Sequence, residues 1–185
     1  MKFVKFLLAA LALIIAAVLL LNSSILMRKI VYPIKYEDYV TKFSQKYDMD
    51  ENFIYAVIKT ESNFDKDAVS NVGARGLMQI MPDAFDWIKY RMGDTREITY
   101  NDMFNPELNI EYGTYMLMLL YDEYDDYSTS IAAYHAGRTA VNNWLADKKY
   151  SQDGATLTVV PSKVTAHYVD KVNKAFKGYN KFYNE

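Results

Sequence analysis

Lys2 and Lys5 open onto an unbroken apolar run, Phe6 to Leu21, that no small water-soluble domain can use as a core helix. A helix of these residues is apolar on every side, so none of its faces suits water. The run falls short of the ~20 residues that span a hydrocarbon core, and Ile25-Leu26-Met27 extend it past the polar Asn22-Ser23-Ser24 break. A cleaved signal peptide is the alternative, but no good small-x-small cleavage site follows Leu21. Residues 1–28 are read as one membrane anchor, embedded through residues 6–27, followed by a juxtamembrane linker over 29–36 and a single folded domain over 37–185. Lys2 and Lys5 lie before the anchor and Arg28, Lys29 and Lys35 after it, so the positive-inside rule does not orient it.

Composition removes several function classes. The net charge is −2 and the basic residues form no dense stripe, which argues against nucleic-acid binding. Cysteine is absent, which excludes disulfides, thiolate nucleophiles, thiolate zinc sites and a lipidated N-terminal cysteine. The two histidines, His135 and His167, have no partner at a metal-motif spacing, so no metal cofactor is expected. The 17 tyrosines suit a half-buried helical core and a sugar-binding groove alike.

The folded part reads as mainly α. Tyr36, Tyr39, Val40, Phe43 and Tyr47 recur at helical spacing, and no strand alternation competes with them. Asp50 is an N-cap for a helix carrying Ile54, Val57 and Ile58 on one stripe. Gly73, Gly76 and Pro82 punctuate a loop before a helix near Asp83–Met92. Asn105-Pro106 is an N-cap with a first-turn proline, opening a long helix to about Tyr124. Shorter helices follow near Tyr127–His135 and Thr139–Leu145, parted by Gly137. After a polar stretch over 146–160, Ser162 caps a last helix whose inner face is expected to carry Val164, Tyr168, Val172, Ala175 and Phe176.

Glu61 lies three, four and seven residues beyond Ile58, Val57 and Ile54, at the end of the apolar stripe. A carboxylate facing inward there is costly unless neutral or paired, and burial raises its pKa as a general acid requires. Spacing alone leaves a second reading open, a helix-end glutamate turned outward or paired with Lys59 or Lys66. Gln79 sits among Leu77, Met78, Ile80 and Met81 and needs a hydrogen-bond partner, either a buried backbone group or a sugar amide. In Ala132-Ala133-Tyr134-His135-Ala136-Gly137 the small residues let helices approach closely around Tyr134, and His135 reads as a core histidine.

Three pieces in this order resemble the lysozyme-like lytic transglycosylases of bacteria, in their soluble-lytic-transglycosylase (SLT) catalytic domain. They are Glu61-Ser62, then Gly73-Ala74-Arg75-Gly76-Leu77-Met78-Gln79-Ile80-Met81-Pro82, then Ala133-Tyr134-His135-Ala136-Gly137. Asn105 to Gly113 resembles the family's linking helix, and Val160-Pro161 with Tyr168 to Val172 its last one. The resemblance implies a lysozyme-like helical fold that cleaves the MurNAc-β-1,4-GlcNAc bond of peptidoglycan without water, leaving a 1,6-anhydromuramyl end. It makes Glu61 the single catalytic acid and base, and Ser70, Gln79, Met81, Tyr134, His135 and Tyr168 the lining of the substrate groove. Two residues depart from the family: His135 stands where asparagine is usual, and Val164-Thr165 where a Glu-Thr pair is usual. A hydrolytic lysozyme and a non-catalytic wall-binding protein are the competing readings. A wall substrate places the domain on the outer side of the bacterial cell membrane, single-pass, or secreted if the leader is cleaved. Partners are then glycan strands, the cytoplasmic membrane and an envelope-spanning machinery.

Overall fold

Side-chain caps start several helices of this computed structural model, which describes residues 27–183 together with Leu11, Leu13 and Ile15. The expected anchor over 6–27 lies outside the described residues, apart from those three helical, exposed positions and Met27. Among the described residues no helix is long and apolar enough to cross a membrane. A single π-type turn, Met27–Val31, belongs to an N-terminal unit, Met1–Ile34, and the helices below belong to a second unit, Lys35–Glu185.

In that second unit α1 spans Glu37–Tyr47 and α2 Glu51–Ser62. The Asp50 carboxylate accepts from the N–H groups of Asn52 and Phe53, a cap that contributes about 1 kcal/mol. Helix α3 is Pro82–Met92, with proline at its first position. A short 3₁₀ turn, Tyr100–Phe104, closed by a capping box between Thr99 and Asp102, was not expected from the sequence. It leads into α4, Pro106–Tyr124, capped by Asn105. Helices α5, Tyr127–Ala136, and α6, Arg138–Leu145, meet at Gly137, and α7 runs Lys163–Tyr183. Ser162 caps α7 as expected, accepting from the Thr165 N–H at 3.3 Å. Among the described residues there is no strand, only isolated bridges between Val69 and Arg75 and between Arg75 and Ile80.

Helix α2 is the core element. Every residue from Asn52 to Ile58 is buried, mainly against α7 and α1, so its apolar stripe widens to a full circle. Each large apolar side chain so enclosed contributes about 1.5–3 kcal/mol. Phe53 packs on Tyr127 and Phe176, and Tyr55 stacks on Tyr179, while Asn52 donates to Asn180 of α7 at 2.9 Å. One expectation for α7 is corrected here: Val164 is 70% exposed, and Thr165 takes the inward place in the first turn. The buried stripe is Thr165, Tyr168, Val169, Val172 and Ala175, with Phe176 half-buried at its edge.

Candidate active site

Glu61 occupies the last turn of α2, partly exposed, where the core opens to the surface. The chain leaves the helix through two left-handed residues, Asn63 (φ 50°) and Phe64 (φ 68°). A phenylalanine is strained in that region, and burial of its ring beside Tyr55 holds it there. The Tyr168 hydroxyl, on α7, donates to Glu61 Oε1 at 2.5 Å. No cation among the described residues pairs with Glu61, and Lys66 pairs instead with Asp67, so the outward, ion-paired reading fails. Burial pushes the Glu61 carboxyl up to about 7, against the opposing pull of the Tyr168 hydrogen bond. Such a group holds a proton near neutrality and can both give it up and take one back.

The loop after α2 is fastened to this helix end by buried polar contacts. Ser62 Oγ donates to the Leu77 carbonyl at 2.8 Å, and the Tyr134 hydroxyl donates to the Met78 carbonyl at 2.7 Å. Asn109 of α4, fully buried, accepts from the Met78 N–H and donates to the carbonyls of Arg75 and Met103. Asn109 has no task legible in the sequence, because Arg75, Met78 and Met103, its partners, come within reach only in the fold. Gly76, at φ +75°, is required here, because a Cβ would collide with the Met103 carbonyl and the Asn109 carboxamide. The Tyr100 hydroxyl lies between the carbonyls of Gly73 and Ile80, and the Arg75 guanidinium lies 4.3 Å from the Tyr100 ring.

Thr60, Glu61, His135, Val164, His167, Tyr168 and Lys171 line an open cleft of ≈ 240 Å³. Of the expected site residues, the structure therefore brings together Glu61, His135 and Tyr168. His135 is exposed in this cleft rather than buried in the core, its ring 4.6 Å from that of Tyr168 and its Nδ1 3.3 Å from Thr165 Oγ1. Partial loss of hydration in the cleft lowers its pKa, which favours the neutral ring. Tyr134 joins through electrostatics: burial, then the nearby Glu61, pushes its hydroxyl far above the usual range. Ser70, Gln79 and Met81 lie on the loop and do not line this cleft. Ser70 Oγ accepts from the N–H groups of Val72 and Ala74, and Gln79 Nε2 donates to the carbonyls of Ala68 and Gly76. Gln79 has thus found backbone partners, and Met81 is 37% exposed at the start of α3. His167 and Lys171 were not anticipated, although their spacing from Tyr168 and Val164 puts them on one helix face.

Residues 38–156 match the family model described as the transglycosylase SLT domain. The chain belongs to this family. It is 30% identical over 169 residues to the membrane-bound lytic murein transglycosylase C of Histophilus somni, covering 78% of this chain and 46% of that protein. It is 32% identical over 145 residues to the soluble lytic murein transglycosylase of Salmonella typhimurium, covering 76% of this chain and 22% of the other. The chain thus spans about half the length of the first relative and less of the second. The crystal structure of the 70 kDa soluble lytic transglycosylase of Escherichia coli superposes with a TM-score of 0.72 at 26% identity, covering 81% of this chain and 25% of that one. The lysozyme-like helical SLT fold is therefore the fold of this chain.

Proposed function

We propose that this SLT-family chain is a peptidoglycan lytic transglycosylase in which Glu61 is the only acid/base. The observation that carries the reading is a carboxyl raised to about 7 that is, among the described residues lining the cleft, the sole carboxylate. A two-carboxylate glycosidase needs a second acid about 5–9.5 Å away, across the scissile bond. A one-carboxylate route does not. Glu61 donates its proton to the glycosidic oxygen as the C1–O bond breaks. The C6 hydroxyl of the same muramyl residue then bonds to C1 and returns its proton to Glu61, so no water is consumed. In this reading Tyr168 fixes the Glu61 carboxyl, Tyr134 fixes the Met78 carbonyl of the loop, and Ser70, Gln79, Met81 and His135 contact the sugars.

The apolar run over 6–27 tethers the domain to the cytoplasmic membrane in this proposal, with residues 29–36 as linker and the domain from 37 onward on the wall side. The similarity to proteins named membrane-bound lytic murein transglycosylase supports the tether. The test is mass analysis of fragments released from purified peptidoglycan by the wild type and by Glu61→Gln. Muramyl ends lighter by one water, lost in the variant, are the expected result. Reducing muramyl ends would assign hydrolysis instead, and no release by the wild type would leave a wall-binding protein.

A further inference from the structure

One wall of the Glu61 cleft is a stripe of α7, made by Val164, His167, Tyr168 and Lys171 at helical spacing. Tyr168 is committed to Glu61. Lys171 is exposed and makes no ion pair with any described residue. It also leaves the protonation of Glu61 to burial and Tyr168, so its ammonium is no counter-ion for that carboxyl. His167 adds two ring nitrogens one turn away, without a hydrogen bond among the described residues. Position 164, where the family resemblance leads one to expect glutamate, carries an exposed valine. The α7 wall therefore offers a cation and free donors with no carboxylate to neutralise them.

We propose that Lys171, with His167 beside it, determines specificity by binding a carboxylate borne by the muramyl residue in this cleft. Two groups carry that chemistry: the lactyl carboxylate of a peptide-free residue and the carboxylates of a stem peptide. A lysine ammonium has three donors and a long stem, which suits a mobile anion at an open rim. The inference rests on the proposed murein-cleaving role of Glu61.

Its test separates the two claims, because binding is measured without turnover. The full chain carrying Glu61→Gln, with and without Lys171→Met, is titrated with three ligands: a peptide-free muramyl glycan, the same glycan bearing stem peptides, and a GlcNAc oligomer that has no carboxylate. Lys171→Met is expected to weaken at least one muramyl ligand about fivefold, the size of an exposed charge contact. The GlcNAc oligomer should change less than about twofold, and added salt should erase the difference. The ligand that weakens identifies the carboxylate. Lys171→Arg retains the charge and should retain the preference. Equal weakening of the GlcNAc oligomer, no weakening of either muramyl glycan, or the same loss in Lys171→Arg would overturn the proposal. Failure of the acid/base reading registers elsewhere, as anhydro product still formed by Glu61→Gln.

Discussion

Two carboxyl groups in one helical domain, Glu61 and Glu111, meet burial in opposite ways. Glu111 of α4 is 4% exposed, and burial alone would push its pKa up. Lys46 Nζ and Arg96 Nη2, each at 2.8 Å, outweigh that and hold it below the usual carboxylate value. Arg96 also binds Asp94, whose carboxylate accepts from Tyr112, so the charges form a closed network between α1, the turn after α3 and α4. Glu61 has one hydrogen-bond partner among the described residues, the neutral Tyr168, and rises to about 7. Burial is common to both sites. The presence or absence of a cation decides whether it yields a structural anchor or a proton donor.

The largest expected effect breaks the comparison at Glu61. Glu61→Gln should lower the rate of glycan cleavage about 10³-fold, as expected for loss of a general acid. Cleavage within tenfold of the wild type in a fragment-release assay would remove Glu61 from the chemistry. The same variant should gain stability at alkaline pH. A carboxyl whose folded pKa is raised favours folding below its unfolded value near 4.5 and loses that contribution as pH rises through about 7. Denaturant titrations at pH 8 should therefore show Glu61→Gln more stable than the wild type by about 3 kcal/mol, the linkage value of that shift. Glu111→Gln should behave in the reverse sense and destabilise by about 2 kcal/mol, discounted because Lys46 and Arg96 are each about half exposed. The stability from Glu111 is present above pH 4.5 and lost as pH falls through its lowered pKa, so the gap between variant and wild type should close in acid.

Smaller changes sharpen the contrast. Tyr168→Phe removes the bond that favours the charged form of Glu61, so the alkaline limb of the pH–rate profile should move upward; a downward move would contradict the assigned direction. Val164→Glu adds a carboxylate to an α7 wall that carries none in the cleft. It should weaken binding of carboxylate-bearing glycan about threefold, measured as KM, the smallest effect foreseen.

The two regions were unequally legible in the sequence. Asp50, Asn105-Pro106 and Ser162 announce helix starts through local hydrogen bonding, so α2, α4 and α7 were readable within a residue or two. Glu61 was visible as the end of an apolar stripe, but the choice between buried acid and surface ion pair depended on Tyr168, 107 residues away. The Glu111 network was not seen at all, because Lys46, Asp94 and Arg96 converge only after α1 packs on α4. Val164 was misassigned because hydrophobicity stood in for facing, and a β-branched residue on an exposed first turn satisfies the same periodicity as a buried one. Gln79 needs a partner by its apolar neighbours alone, but no spacing reveals that the Ala68 and Gly76 carbonyls supply it or that Ser70 accepts from Val72 and Ala74.

The most direct test is titration of the side-chain carboxyl carbons by NMR in protein labelled at glutamate, with Glu61→Gln and Glu111→Gln to assign the two signals. The midpoint for Glu61 is expected near 7 and that for Glu111 below 4.5 in the same sample. A Glu61 midpoint in the ordinary carboxylate range would mean that the group is charged at neutral pH, and its role as proton donor would fall.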